Sequence, residues 1–132
     1  MKKIKNKIYK KLLNIRIIEN KIAEEYSKQK MRCPVHLSIG QEAVAAPLEC
    51  LFDKKDIIVS GHRAHSHYIG KGGNIKKFIN ELYGNKEGFS RGKAGSMHLY
   101  DKEIGFYGSS PIVANIIPIG VGIALSNKLK KK

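Results

Sequence analysis

The chain has 132 residues, 42% of them hydrophobic and 27% charged, with two cysteines and no tryptophan. That length suits one domain, which buries roughly two-thirds of its unfolded surface, and the ordinary apolar content excludes a disordered chain. Cys33 and Cys50 form no CxxC pair, which excludes a disulfide-stapled scaffold and leaves each as a small, reduced core residue.

The formal net charge of +14 raises nucleic acid first. Its placement argues otherwise. Nine lysines and Arg16 stand against three glutamates in residues 1–30, and four lysines crowd residues 128–132, so the stretch between is nearly balanced. Lysines outnumber arginines 21 to 4, and arginine is the better fork for phosphate and guanine edges. No nucleic-acid partner is expected. No membrane partner is expected either. Asn14 and Arg16 interrupt Leu12–Ile18, so no signal-peptide core forms. Pro111, Asn115, Pro118, Gly120 and Gly122 break the apolar run over 109–125, which falls short of the about 20 residues that a span needs. A cytoplasmic location is the resulting expectation.

Ile4, Ile8, Leu12, Ile15, Ile18 (or the adjacent Glu19), Ile22 and Tyr26 recur at three- and four-residue steps. They predict an amphipathic helix over most of residues 3–29 with lysines outside. Residues 1–30 are therefore expected as an N-terminal helix beside a domain over 31–132. Ser38 or Gly40 is expected to start a helix over 41–52, kinked by Pro47. Residues 56–60 predict a short buried strand that leaves at Gly61. Helices are predicted over 62–70 and 74–84, parted by Gly70–Gly73. A basic, Gly-rich loop then runs from Gly84 to about Gly108, and Pro111 opens a last helix, kinked at Pro118. One strand cannot make a sheet. Either others lie in the loop region, or the chain holds the front part of a larger α/β sheet.

The densest chemistry is His62-Arg63-Ala64-His65-Ser66-His67, directly after the predicted strand. A strand opening into a helix presents free amides and the positive end of a dipole. Arg63 adds a forked cation and His62 a further donor. A metal site is the rival, but positions i, i+3 and i+5 diverge on a helix, and no acid or thiol stands nearby. A solvated or capping role is the third reading. Glu87 to His98 invites comparison with the phosphate loop GxxxxGK[ST]. Three residues rather than four separate Gly88 from Gly92, and Ala94 stands where the hydroxyl belongs, which disfavours a triphosphatase. A functional loop ending at His98 and a mobile surface loop both stay open. Gly108–Val113 forms a turn whose small residues admit a ligand closely. A lone His36 reads as structural. Together these pieces suggest a phosphate-bearing ligand.

Taken in order, five strings carry a resemblance: HLSIGQEAVAA at 36–46, HRAHSHYIGKGG at 62–73, FINELYG at 78–84, SRGKAGSMHLYD at 90–101 and GFYGSSPIVANIIPIGVGIAL at 105–125. They resemble the alpha subunit of the thiamine-diphosphate-dependent 2-oxo acid dehydrogenases, of the pyruvate, branched-chain and acetoin types. The resemblance covers residues 31–127. It implies an α/β thiamine-diphosphate-binding fold, present here as an incomplete N-terminal part with many helices and few strands.

The resemblance also implies roles. His62 and Arg63 match the pair that holds the cofactor's diphosphate, the first position often being Tyr in the family. Ser110 and Ile112 match the turn that meets the aminopyrimidine through backbone atoms. His36 and His98 match catalytic histidines, one near the substrate and one in a loop that orders on cofactor binding. The implied activity is oxidative decarboxylation of a 2-oxo acid such as pyruvate, with the thiazolium as electron sink and the acyl group passed to a lipoyl arm. The implied partners are a beta subunit, in a heterotetramer, and the lipoyl acyltransferase of the complex. The family's magnesium is held by a GDG segment and a later Asn, and this chain contains no GDG. No metal ligand is therefore assigned, and magnesium and the C-terminal half of the alpha subunit are expected to come from elsewhere. Ala114 and Asn115 replace the side chains that complete a potassium site in some relatives. The alternatives are an inactive fragment and a non-enzymatic protein that binds an anion or a partner.

Overall fold

Helix α1 (Lys2–Tyr26) follows from the apolar steps of its sequence. In the computed structural model, which describes residues 2–31 and 33–131, it buries Ile15, Glu19 and Ile22. Ile8, Leu12, Ile18 and Tyr26 pack half-buried around them, whereas Ile4 stays exposed. The helix ends at Tyr26, the last residue of its apolar stripe, and Gln29 then turns through a left-handed φ of 57°. Its inner face lies across α2 (Glu42–Ala45), α3 (Leu48–Leu51) and α4 (His65–Gly70).

The single kinked helix predicted over 41–52 is two short ones. Pro47 has no N–H with which to continue the i→i−4 ladder, and the chain restarts with the Cys50 and Leu51 amides donating to Pro47 O at 2.9 and 3.0 Å. Gln41, not Ser38 or Gly40, flanks α2. Helix α4 begins three residues later than predicted. It packs so closely on α2 that a Cβ on Gly70 would lie 2.2 Å from Ala45 O. Helix α5 (Ile75–Leu82) starts as its sequence suggests, with Asn74 Oδ1 accepting from the Lys77 amide at 3.0 Å.

The loop region does hold a second strand. β1 (Ile58–Ser60) pairs in parallel with β2 (Phe106–Ser109), in the register Ile58↔Phe106, Val59↔Gly108 and Ser60↔Ser109. Tyr107 is the extra residue, a bulge on β2. Two helices, α4 and α5, form the connection, as a parallel pairing requires. A 3-10 turn (Lys102–Ile104) precedes Gly105, where φ is +77° and a Cβ would lie 2.3 Å from Asp56 O and 2.4 Å from Lys54 O. Gly105→Ala is therefore expected to destabilise the chain by more than about 1 kcal/mol, from the left-handed backbone alone. An unchanged urea midpoint in that variant would contradict the placement.

The core gathers around Tyr68, whose ring centre lies 5.7–5.8 Å from those of Phe78, Phe89 and Phe106. Ile15, Ile22, Ile69, Leu82 and Leu99 complete it. Helix α6 (Ile116–Leu129) is different, because none of its residues is buried. It begins after the turn Pro111–Asn115, and Pro118 falls in its first turn, where a missing N–H breaks no intrahelical bond. The predicted kink has no cause there. Gly120 faces β1, where a Cβ on it would lie 3.6 Å from Val59 Cγ2, while Ile117, Val121, Leu125 and Leu129 stay exposed. Among the described residues, no helix is long and apolar enough to cross a membrane.

Candidate functional site

Because β1 and β2 run parallel, their carboxyl ends share one edge, the place where open α/β sheets bind ligands. Gly61-His62-Arg63 leaves β1 there and Ser110–Ile112 leaves β2, the two being joined by the Ser110 amide donating to Ser60 O at 3.1 Å. The strand does not open directly into a helix. Residues 61–64 intervene, and α4 has only six residues with no side-chain cap. The amide-and-dipole cradle expected for His62 and Arg63 is thus not how the segment is built.

Side chains do the arranging instead. Arg63 donates through Nη1 to Leu37 O, its own carbonyl accepts from Ser38 Oγ at 3.2 Å, and the residue is otherwise exposed. His62 meets His36 edge-on, ring centres 5.0 Å apart. Among the described residues, His36 Nδ1 is buried without a hydrogen-bond partner. His36, His62 and Arg63 therefore form one group.

The crowded histidines of 62–67 separate. His62 turns to His36, His65 sits between Glu19 and Ser96, and His67 Nδ1 lies 2.7 Å from Ser60 Oγ. Among the described residues, no three His, Cys, Asp or Glu side chains gather as a metal would require. Cys33 and Cys50 are free and half-buried, and burial pushes the Cys33 thiol pKa up.

The basic loop is fastened from beneath. Glu81, 1% exposed, accepts four backbone amides. Oε2 takes those of Ser90 and Gly92 at 2.8 and 3.1 Å, and Oε1 those of Ala94 and Gly95 at 2.7 and 3.3 Å. These bonds tie residues 90–95 to α5 and argue against a freely mobile surface loop there. Farther on, Ser109 Oγ donates to Met97 O at 2.7 Å and accepts from the Leu99 amide at 2.8 Å, which brings exposed His98 beside the carboxyl end of β2. Ser110 is buried and its Oγ accepts from the Ile112 amide and Asn115 Nδ2, both at 3.3 Å, while Ile112 is 65% exposed. A ring contact joins His36 to His62, and the hydrogen bonds of Arg63 run to Leu37 and Ser38 beside His36; among the described residues no such contact joins His98 to His36.

Sequence reasoning passes over Glu81. A glutamate on an amphipathic helix ordinarily faces water. The available signal is position, because Glu81 lies on the face of α5 that buries Phe78 and Leu82. Glu19 carries the same signal in the apolar stripe of α1.

Two groups near the site set its acid response. Arg16 holds the Glu42 carboxyl at about 2, against an ordinary 4.5, aided by the Gly40 amide at 3.0 Å. Burial lowers the pKa of His67 from 6.5. Both shifts are depressions, so both contributions are present at neutral pH and lost on acidification. His67's is present above 6.5 and declines as the unfolded ring takes up its proton. Glu42's is present above 4.5 and is lost as pH falls through about 2. Glu42→Gln is expected to flatten the dependence of the urea midpoint on pH between 4.5 and 2, and an unchanged slope would refute the pairing.

Comparison with known proteins gives this chain a family. The family model described as dehydrogenase E1 component matches residues 10–132. The mitochondrial pyruvate dehydrogenase E1 component subunit alpha of Solanum tuberosum is 41% identical over 124 residues, 94% of this chain and 32% of the relative. The mitochondrial subunit alpha-1 of Arabidopsis thaliana is 43% identical over 107 residues, 81% of this chain and 28% of the relative. The Saccharomyces cerevisiae subunit alpha, also mitochondrial, is 38% identical over 125 residues, 95% of this chain and 29% of the relative. The chain thus spans under a third of the length of these relatives. Their names place them in the mitochondrion, which overturns the expectation of a cytoplasmic location. A match over nearly the whole chain, on a helix-rich α/β architecture with a two-stranded parallel sheet, leads to one conclusion: the chain belongs to the dehydrogenase E1 component family and has the N-terminal part of its thiamine-diphosphate-binding fold.

Proposed function

We propose that this chain forms the N-terminal part of the alpha subunit of a thiamine-diphosphate-dependent 2-oxo acid dehydrogenase acting on pyruvate or a similar acid. Residues 1–30 contribute a helix laid across the portion 31–132. The observation that carries the proposal is the grouping of exposed Arg63, His62 and the unpartnered His36 Nδ1 just beyond the carboxyl end of β1.

The residues present fit the anionic end of the cofactor. Arg63 spends Nη1 on Leu37 O, and the exposed remainder of its fork suits a phosphate. His62 adds a donor beside it. A buried imidazole nitrogen with no partner is costly unless a ligand or water satisfies it, and His36 Nδ1 is that atom. The metal is another matter. Among the described residues no three His, Cys, Asp or Glu side chains gather, and the sequence has no GDG segment, so the magnesium ligands are assigned to further alpha-subunit sequence.

When bound, thiamine diphosphate supplies the carbanion nucleophile and the electron sink for loss of carbon dioxide. This chain's residues orient and shield. Arg63 and His62 balance the diphosphate charge, the Ser110–Ile112 turn presents backbone groups to the aminopyrimidine, and His36 holds or releases a proton at Nδ1 near the substrate. His98, on its fastened loop, stands at the mouth. Helix α6 supports the same reading, since a helix that is apolar all round over residues 116–125 belongs in a core. Further alpha-subunit sequence would cover it, and a beta subunit would complete the site ahead of a lipoyl acyltransferase.

The test is Arg63→Ala in the assembled enzyme. Loss of a charged hydrogen bond is worth about 1.5–3 kcal/mol, so thiamine diphosphate should bind roughly 10- to 150-fold more weakly. Unchanged cofactor affinity would sink the assignment.

A further inference from the structure

Glu19, His65 and Ser96 meet in the core at 0%, 0% and 1% exposure, from α1, α4 and the loop above α5. His65 Nδ1 lies 2.8 Å from Glu19 Oε1, and its Nε2 lies 2.6 Å from Ser96 Oγ. Glu19 Oε2 accepts the Ser38 amide. An ionised carboxylate can only accept, and a buried one needs donors at both oxygens. His65 Nδ1 is the group placed to donate to Oε1 of such a carboxylate. The order serine, histidine, carboxylate matches that of a hydrolase triad, but Ser96 is sealed from any substrate and cannot act as a nucleophile.

What the three residues hold is more telling. Ser38 lies two residues after His36, and its hydroxyl donates to Arg63 O. Ser96 lies two residues before His98, whose neighbours Met97 and Leu99 are fastened to Ser109. One carboxylate and one imidazole thus stand between both histidine-bearing segments of the candidate site.

We infer that Glu19, His65 and Ser96 form a positioning relay, which couples the His36–Arg63 side of the site to the His98 side through the Nδ1-protonated ring of His65. The coupling stands on contacts within this chain, and only the chemistry that His36 and His98 serve rests on the proposed function.

Nitrogen–proton correlation spectra of the imidazoles, with amide exchange rates, test it on the 132-residue chain. The parent should show a protonated Nδ1 on His65. Ser96→Ala should shift the ring signals of His98 and, across the relay, of His36, because coupling is reciprocal. Glu19→Gln should speed exchange at the Ser38 and Leu99 amides together, by about tenfold or more, while Ser90 and Gly92 on Glu81 keep their protection. A bare Nδ1 in the parent, or a His36 signal unmoved by Ser96→Ala, would overturn the relay. Should Glu19→Gln fail to fold, the parent spectrum and Ser96→Ala decide alone. These readouts need neither cofactor nor turnover, so their failure leaves the proposed function standing, and failure of cofactor binding leaves the relay standing.

Discussion

Glu81→Ala is expected to cost about 4 kcal/mol of stability and to release residues 90–95 from the body of the protein. The carboxylate is 1% exposed and accepts four amides. Hydrogen bonds to a charged acceptor contribute about 1.5–3 kcal/mol each, and donors left buried without a partner cost more than donors returned to water. The four do not add fully, because some amides regain water as the loop opens. Glycines let the backbone wrap this closely. A Cβ on Gly88 would lie 2.4 Å from Glu81 Oε2, and one on Gly92, at φ +74°, would lie 2.2 Å from the Gly84 carbonyl carbon. Gln is a poor substitute, since its NH2 would face two amide donors. Urea unfolding and amide exchange at Ser90, Gly92 and Ala94 read the effect. A midpoint unchanged in Glu81→Ala, with those amides still protected, would contradict the account.

The pair Val121→Glu and Leu125→Glu is expected to act in the opposite direction on the chain alone. Both side chains are exposed on α6, at 64% and 56%, so the charges meet water and self-association of the chain should fall. In a mixture with the rest of an alpha subunit, the same charges would have to be buried. Each lost aliphatic burial forfeits about 1.5–3 kcal/mol, and each buried charge adds a larger penalty. Assembly should weaken by more than about 100-fold on that basis. Light scattering of the chain and a pull-down with the remaining alpha-subunit sequence measure the two effects. Assembly unaffected by the double variant would show that α6 is not a buried helix of the complete subunit.

Much of this fold is legible in the sequence because its signals are periodic. The apolar steps of α1 locate Ile15 and Ile22 in the core, and Gly70–Gly73 part α4 from α5. Pro47 is visible too, but its effect is larger than a kink: a four-residue helix on either side cannot bridge a missing N–H, so the chain breaks rather than bends. β2 is hidden by composition, since Gly105, Gly108 and Ser109 look like loop, and its four residues carry a bulge instead of an alternation. His62 and Arg63 stand out in the sequence, but the helix terminus expected to explain them is replaced by contacts with Leu37, Ser38 and His36. Those with Leu37 and Ser38 come from 26 and 25 residues away along the chain, beyond what local spacing reveals. Glu81 stays hidden for a related reason, because a charged residue on a buried face declares itself only when its partners arrive from elsewhere.

The most direct measurement is calorimetric titration of thiamine diphosphate with magnesium into this chain, mixed with the remaining alpha-subunit sequence and a beta subunit. The expected result is saturable binding in the mixture that Arg63→Ala weakens by about 10-fold or more, in keeping with about 1.5 kcal/mol or more for a charged hydrogen bond. Absence of binding in the mixture, or binding indifferent to Arg63, would contradict the claim that the shared edge of β1 and β2 holds the diphosphate.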